Sequence, residues 1–183
     1  MTSSGTTSKA FSITSIALMA AVLCILGPLT IPVGPVPITL VPLAIFLSVY
    51  ILGTKRGTIA VTLYLLIGAV GVPVFSGFAG GFGKIAGPTG GYLLGYIFAA
   101  LIAGWFIHRF NDNVVIQFLG MLLGLIVLYA FGTAWLSISA GMDIKAAIAA
   151  GVLPFVVFDI AKIIIAILLG RTIKRRVPSL SQM

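Results

Sequence analysis

The chain has 183 residues, of which 60% are hydrophobic and 8% are charged, and its mean hydropathy is +1.24. A soluble domain carries about 25% charged residues, so this composition excludes a soluble globular protein and indicates an integral membrane protein. Eleven Lys and Arg residues stand against three Asp residues and no Glu, which gives a formal net charge of +8. Nucleic-acid-binding proteins are also basic, so the positions of the charges have to distinguish the two classes.

Six apolar stretches follow one another along the chain, separated by basic, Gly-rich or Pro-rich segments. A helix needs about 20 apolar residues to cross a bilayer, so the chain has room for roughly five to seven spans and for no sizeable soluble domain. We therefore expect an all-α integral membrane protein with one domain over residues 1–183, built as a bundle of six transmembrane helices. The predicted spans are about 10–29, 39–52, 58–71, 92–107, 114–136 and 148–169.

The basic residues are distributed unequally between the two sides of the predicted spans. Cytoplasmic loops of membrane proteins are rich in Lys and Arg, so we expect both termini in the cytoplasm. The positive charge is then a topology signal with some attraction to anionic lipid, and it gives no support to nucleic-acid binding. The cytoplasmic side collects Lys9, Lys55, Arg56, Arg109, Arg171, Lys174, Arg175 and Arg176, and the outer side has Lys84 and Lys145.

Asp159 and Lys162 lie near the middle of the last predicted span, and their i,i+3 spacing places both on one face of a helix. An ionisable group inside a bilayer costs several kcal/mol unless it is paired or faces a polar cavity. Two interpretations stay open, namely a self-neutralising pair that holds the helix to its neighbours and a polar contact point for a ligand or ion. Pro154, one turn earlier, predicts a kink with free carbonyl groups.

Two segments rich in Pro and Gly are expected on the outer side. Pro32, Pro35 and Pro37 stiffen the first of them, which fits either the rigid wall of a pocket or a well-formed turn. The second, residues 71–91, has 8 Gly among its 21 residues, and an ordered loop of this length is usually functional. The aromatic side chains that it offers as lids or apolar walls are Phe75, Phe78 and Phe82.

No motif indicates an enzyme, a cofactor or a metal site. Gly83-Lys84 resembles the end of a P-loop, but Ile85 stands where a P-loop has Ser or Thr. Cys24 and His108 are the only residues of their types, so a zinc site of the usual kind is excluded. We expect a protein that is not an enzyme.

Two runs of the chain resemble a known family. Residues 68–78 read GAVGVPVFSGF and residues 87–96 read GPTGGYLLGY, and together they look like the signature of BioY proteins. These proteins are the biotin-binding membrane subunits (S components) of energy-coupling-factor (ECF) transporters. The segment 35–39 and the Asp159-x-x-Lys162 pair fit the same pattern, and the resemblance extends from the first predicted helix to the last.

The resemblance implies a biotin-uptake subunit in the plasma membrane of a bacterium or archaeon. Its pocket would lie near the outer face, covered by the loop between the first two helices and by the Gly-rich loop. Ala17 and Ala21 resemble the small-residue motif by which such subunits dock on a shared transmembrane coupling subunit, since small residues at i,i+4 allow close helix contact. Two separate ATPase subunits would hydrolyse ATP, in agreement with the missing P-loop.

The chemistry of biotin is compatible with these residues, because biotin has a ureido ring, an apolar thioether ring and a carboxylate tail. We expect Asp159 to accept a ureido N–H group and Lys162 to meet the ureido carbonyl or the carboxylate. Backbone amides of the Gly-rich loop offer an anion site. The other predicted ligand contacts are Phe75, Gly77, Gly91 and Tyr92, followed by Lys84, Phe78, Pro37 and Thr39.

Three alternatives stay open. The chain could be an S component for another vitamin, such as a thiamine-like or riboflavin-like ligand. It could be a stand-alone proton-coupled carrier with Asp159 as the proton site, although no inverted repeat of the kind common in carriers is found. It could also be a structural membrane subunit that binds no ligand.

Overall fold

The computed structural model describes residues 4–176, with side chains from residue 9 onward. This part of the chain is built from helices, with one short two-stranded hairpin, and thus confirms the predicted all-α class. In chain order the elements are α1 (Ser4–Leu26), β1 (Thr30–Ile31), β2 (Ile38–Thr39), α2 (Val41–Ala69), α3 (Phe82–Ala86), α4 (Gly90–Arg109), α5 (Val114–Ala140), α6 (Ile144–Gly151) and α7 (Val156–Arg176). Within residues 4–176, four helices are long and apolar enough to cross a membrane, and the bent pair α6–α7 makes a fifth candidate.

Helix α2 reverses its direction at Gly53, which has φ 79° and ψ 170°. The Ser48 hydroxyl donates to the Gly57 carbonyl oxygen at 3.1 Å, and a Cβ atom added to Gly57 would lie 2.7 Å from the Val49 Cα atom. Residues eight apart in a straight helix are separated by about 12 Å, so these contacts require two antiparallel segments. We call residues 41–52 the first arm and residues 54–69 the second arm; they correspond to the second and third predicted spans.

The reversal of α2, the turn between α4 and α5 and the end of α7 lie together at one end of the bundle. A Cβ atom added to Gly104 of α4 would lie 2.9 Å from the Thr54 Cα atom. The Lys174 ammonium donates to the Asn111 side-chain oxygen at 3.3 Å. We call this the basic end, because its residues include Lys55, Arg56, Arg109, Lys174, Arg175 and Arg176. The β hairpin and the Gly-rich segment lie at the opposite end.

Small residues let α4 and α5 approach each other closely. Gly124 lies against Ala99, with 3.0 Å between an added Cβ atom and the Ala99 carbonyl oxygen. Gly95 lies against Leu128 in the same way, at 3.3 Å from the Leu128 Cα atom. Close backbone approach of this kind is how helices pack in lipid, where no hydrophobic effect drives them together. The two helices together form one wall of the space between the helices.

The last predicted span is broken in the structure. Helix α6 ends at Gly151, four residues of turns follow, and α7 begins at Val156 at an angle of 47° to α6. Pro154 lies in the break, where its missing amide donor costs no helical hydrogen bond. The predicted kink is thus present, and Asp159 follows it near the middle of the segment that α6 and α7 form together. Asp159 lies in the first turn of α7.

Candidate ligand-binding site

A cavity opens between the helices toward the end opposite the basic end. Its walls come from both arms of α2, from α4, α5 and the α6–α7 break, and its rim comes from the β hairpin and the Gly-rich segment. About 600 Å³ of space free of atoms is found there, part of it open to the outside. Ligand sites commonly lie in clefts between the helices of a bundle, so this cavity is the candidate ligand site.

A buried ion pair lies in the wall formed by α7. The Lys162 Nζ atom is 2.6 Å from the Asp159 Oδ1 atom, and the two residues are 7% and 4% exposed. The Tyr129 hydroxyl of α5 donates to the other carboxylate oxygen, Oδ2, at 2.6 Å. Each carboxylate oxygen therefore accepts one hydrogen bond and keeps room for another. The position in the first turn of α7 also favours the negative charge, because the amino end of a helix is electropositive.

Four tyrosine side chains line the cavity: Tyr64 of the second arm, Tyr92 and Tyr96 of α4, and Tyr129 of α5. The Tyr92 hydroxyl donates to the Gly151 carbonyl oxygen at 2.9 Å and so joins α4 to the end of α6. Tyrosine offers an apolar ring with a polar tip, which suits a ligand with both apolar and polar parts. The cavity therefore combines aromatic walls with one charged, hydrogen-bonded corner.

Five of the predicted ligand contacts line this cavity, and they come from three parts of the chain. They are Asp159, Lys162, Tyr92, Pro37 and Thr39. The structure thus brings together the ion pair of α7, the start of α4 and the Pro-rich hairpin. Their contact with a ligand stays a prediction, but the space that they share supports it.

Two other predicted contacts lie behind the cavity wall. Phe75 is fully buried, and its ring meets the Tyr64 ring edge-on at 5.6 Å between centroids. Phe75 also lies against Gly68, where a Cβ atom would overlap its ring. A Cβ atom added to Gly91 would likewise overlap the Trp135 side chain of α5, at 2.3 Å from its Cβ atom. These residues support Tyr64 and the start of α4 rather than line the cavity.

The remaining predicted contacts lie in the Gly-rich segment and do not line the cavity. Phe78 and Phe82 are 68% and 74% exposed, and Phe78 has a positive φ of 58°, which directs its side chain differently from that of an extended residue. Gly77 donates its amide to the Pro28 carbonyl oxygen at 3.4 Å, which joins this segment to the end of α1. Lys84 lies in the short helix α3. Their role as ligand contacts stays a prediction.

Several side chains that line the cavity were not predicted from the sequence. Tyr96 is four residues after Tyr92, and this helical spacing was a usable signal. Ser76 and Thr89 are each within two residues of predicted contacts. Tyr129 had no local signal, because only the packing of α5 against α7 brings its hydroxyl to Asp159.

A protein family and several individual proteins resemble this chain over most of its length. The model of the BioY family matches residues 1–179. The chain is 36% identical over 167 residues to "Biotin transporter BioY2" of Lactococcus lactis subsp. cremoris, covering 91% of this chain and 92% of that protein. It is 42% identical over 147 residues to "Biotin transporter BioY" of Thermotoga maritima, covering 80% and 86%.

A solved structure resembles nearly the whole chain as well. It is described as the crystal structure at 2.1 Å of the S-component for biotin from an ECF-type ABC transporter. The TM-score is 0.87 at 31% sequence identity, and the match covers 96% of this chain and 95% of that one. The resemblance inferred from the two sequence runs is confirmed, and the chain belongs to the BioY family.

Proposed function

We propose that this protein is the biotin-binding S component of an ECF-type vitamin transporter in a bacterial or archaeal plasma membrane. Family membership and the similarity to a solved biotin S-component support this function. The observation that carries it is the Asp159–Lys162 pair, which is held by Tyr129 in the corner of an otherwise tyrosine-lined cavity. A neutral, hydrogen-bonding ring such as the ureido ring of biotin fits this corner.

The same proposal includes six spans and cytoplasmic termini. The two arms of α2 run in opposite directions and count as two membrane segments, and the pair α6–α7 counts as one broken span. Since basic loops stay in the cytoplasm, the basic end lies inside. The cavity then faces the outer side, where a vitamin arrives.

In the proposed complex the ureido ring of biotin meets the ion pair. Asp159 accepts a ureido N–H group through the free position on one carboxylate oxygen, and Lys162 donates to the ureido carbonyl. The rings of Tyr64, Tyr92 and Tyr96 cover the apolar thioether ring. The ligand thereby replaces the hydrogen bonds that water would make to a buried charged group.

The substitution Asp159→Asn tests this arrangement. It keeps the shape of the side chain but removes the charge, and a hydrogen bond to a charged acceptor contributes about 1.5–3 kcal/mol. We expect biotin affinity to fall by about tenfold or more, measured by isothermal titration calorimetry of the purified protein. Asp112→Asn is the matched control, since Asp112 is exposed in the turn between α4 and α5. Unchanged affinity of the Asp159 variant would contradict a role of Asp159 in binding biotin.

The proposed partners are a shared transmembrane coupling subunit and two ATPase subunits. Ala17 and Ala21 lie exposed on α1, on the side that carries Leu18 and Ile25, each 67% exposed. Helix α1 thus presents small residues within an apolar surface, and such a surface allows close packing of a partner helix in the membrane.

The double substitution Ala17→Leu with Ala21→Leu is expected to reduce biotin uptake strongly while leaving biotin affinity unchanged. Uptake of labelled biotin is measured in cells that also produce the coupling and ATPase subunits. Ala130→Leu with Ala134→Leu is the matched control, because these residues have the same spacing and are exposed on α5. Full uptake by the Ala17/Ala21 variant would contradict docking at this surface. Uptake by the chain alone, driven by a pH gradient, would favour the carrier alternative.

A further inference from the structure

The two arms of α2 are short for membrane segments. At about 1.5 Å per residue, the first arm is about 18 Å long and the second arm about 24 Å. The hydrocarbon core of a bilayer is about 30 Å thick. A segment that is too short is accommodated when the bilayer thins locally or when flanking side chains extend to the headgroups. The lipid next to α2 therefore has to differ from the lipid around the longer helices.

At the basic end, the neighbouring helices extend beyond the reversal of α2. Gly104 of α4 lies level with Thr54, since an added Cβ atom would be 2.9 Å from the Thr54 Cα atom. Helix α4 continues to Arg109, about 7 Å farther along its axis. Helix α7 likewise continues past Gly170, which packs against the Tyr50 ring shortly before the reversal. We call the space below the reversal, between the ends of α4 and α7, the recess.

Arg56 lies in the first turn of the second arm, next to this recess. Side chains of a helix are directed toward its amino end, which for the second arm is the basic end. The residue is half-buried, and its Nη1 atom is almost completely covered by protein atoms and has no hydrogen-bond partner. A buried donor without an acceptor is unfavourable, more so when it is charged. This guanidinium therefore calls for an acceptor from outside the chain.

The charge of the basic end favours an anion as that acceptor. The whole chain has three Asp residues and no Glu. Asp143 caps α6 and Asp159 lies in the first turn of α7, so both are away from the basic end. Asp112 remains, exposed in the turn between α4 and α5. Among the residues whose side chains are described, Arg56 has no acidic partner.

Trp105 indicates the depth of the recess in the membrane. It follows Gly104 in α4, and its side chain is 54% exposed. Tryptophan is enriched at the level of the lipid headgroups, because its ring is apolar and its N–H group is polar. Since Gly104 is level with Thr54, the start of the second arm lies at about the same depth. The anions that a membrane supplies at this depth are phosphate groups of lipids.

We propose that the recess binds the phosphate group of an anionic phospholipid through Arg56. The planar guanidinium matches the oxygens of a phosphate and can donate two parallel hydrogen bonds. Lys55, exposed next to it in the chain, adds a second positive charge. The bound lipid fills the space that the short arms leave in the bilayer. The recess lies at the opposite end of the bundle from the ligand cavity, so this inference goes beyond the proposed function and does not depend on the vitamin.

The test measures the melting temperature of the purified protein in detergent with added phosphatidylglycerol, phosphatidylcholine or inorganic phosphate. A molecule that binds the folded protein raises its melting temperature. We expect a larger rise with phosphatidylglycerol than with the other two. Arg56→Met keeps the length of the side chain and removes its charge, and about tenfold more phosphatidylglycerol should then be needed for the same rise. Arg175→Met is the matched control, because it removes the same charge from an exposed position at the same end.

Several outcomes would overturn the lipid site. An equal loss in Arg56→Met and Arg175→Met would show a diffuse attraction to the basic end. An equal rise with inorganic phosphate would assign the recess to a free anion, and an equal rise with phosphatidylcholine would exclude selection of an anionic lipid. An unchanged response of Arg56→Met, with weaker co-purification of the coupling subunit, would assign Arg56 to a protein partner.

The melting temperature without lipid shows whether Arg56→Met is folded. It is expected to equal or exceed that of the parent, because the substitution removes a buried nitrogen that has no partner. If it is lower, Arg56→Lys carries the test, since it keeps the charge and loses the planar fork. A weaker response of Arg56→Lys to phosphatidylglycerol is then expected, and a response equal to that of the parent would contradict recognition by the guanidinium.

Discussion

Replacement of Lys162 by Met is expected to abolish measurable biotin binding and to destabilise the protein by about 3–5 kcal/mol, because it leaves the Asp159 carboxylate buried without its cation. Asp159 is 4% exposed, and a water molecule that enters from the cavity would bring no positive charge to replace the ammonium. Tyr129 would remain as a hydrogen-bond donor, but it carries no charge. Thermal unfolding in detergent and titration with biotin measure the two effects.

The double substitution Asp159→Leu with Lys162→Met separates stability from function. Apolar replacement of both members of a buried pair is often neutral or stabilising, so we expect the melting temperature to return to that of the parent. Biotin binding should stay absent, because neither group that recognises the ureido ring is present. Lys145→Met, at an exposed position, is the control for the lysine change. A Lys162→Met protein as stable as the parent would mean that the pair is hydrated and not buried.

The second large effect is expected from Gly57→Ala in the second arm of α2. The new Cβ atom would lie 2.7 Å from the Val49 Cα atom and 2.8 Å from its amide nitrogen. These are backbone atoms of the first arm, and they cannot move aside as a flexible side chain can. Overpacking costs about 1–3 kcal/mol, and here it also separates the two arms.

Biotin affinity should fall in the Gly57→Ala variant although Gly57 does not line the cavity. Pro42 of the first arm and Tyr64 of the second arm both line it, so a shift between the arms changes its shape. Gly83→Ala is the control, because a Cβ atom there meets nothing within 4 Å. Calorimetry and thermal unfolding of the two variants make the comparison. Parent-like values for Gly57→Ala would contradict the close packing of the arms.

The sequence was sufficient to predict the parts of the molecule that depend on local spacing. The i,i+3 spacing of Asp159 and Lys162 predicted that they share a helix face, and the structure joins them in an ion pair. The basic residues Lys55 and Arg56 separated two apolar stretches, and α2 reverses two residues before Lys55. In both cases the sequence pattern and the structural feature that it predicts lie within a few residues of each other.

Features that depend on packing or on loop conformation could not be predicted. Tyr129 is 30 residues from Asp159 in the chain, and only the contact between α5 and α7 brings its hydroxyl to the carboxylate. The composition of the Gly-rich segment predicted aromatic lids, but composition does not fix side-chain direction. Phe75 is directed into the core and packs on Tyr64, whereas Phe78 and Phe82 are exposed.

The partnered state of the Asp159 carboxylate has a consequence for selectivity among vitamins. One position on each oxygen is already occupied, by Lys162 on one and by Tyr129 on the other. A competitor of similar size that lacks the ring N–H group would displace water from this corner of the cavity. It would offer the Asp159 carboxylate no hydrogen-bond donor in place of that water. Sites built to bond a polar group reject analogues without it by about 10⁴-fold or more. Under the proposed function, the pair would therefore exclude close analogues in addition to the affinity that it gives to biotin itself.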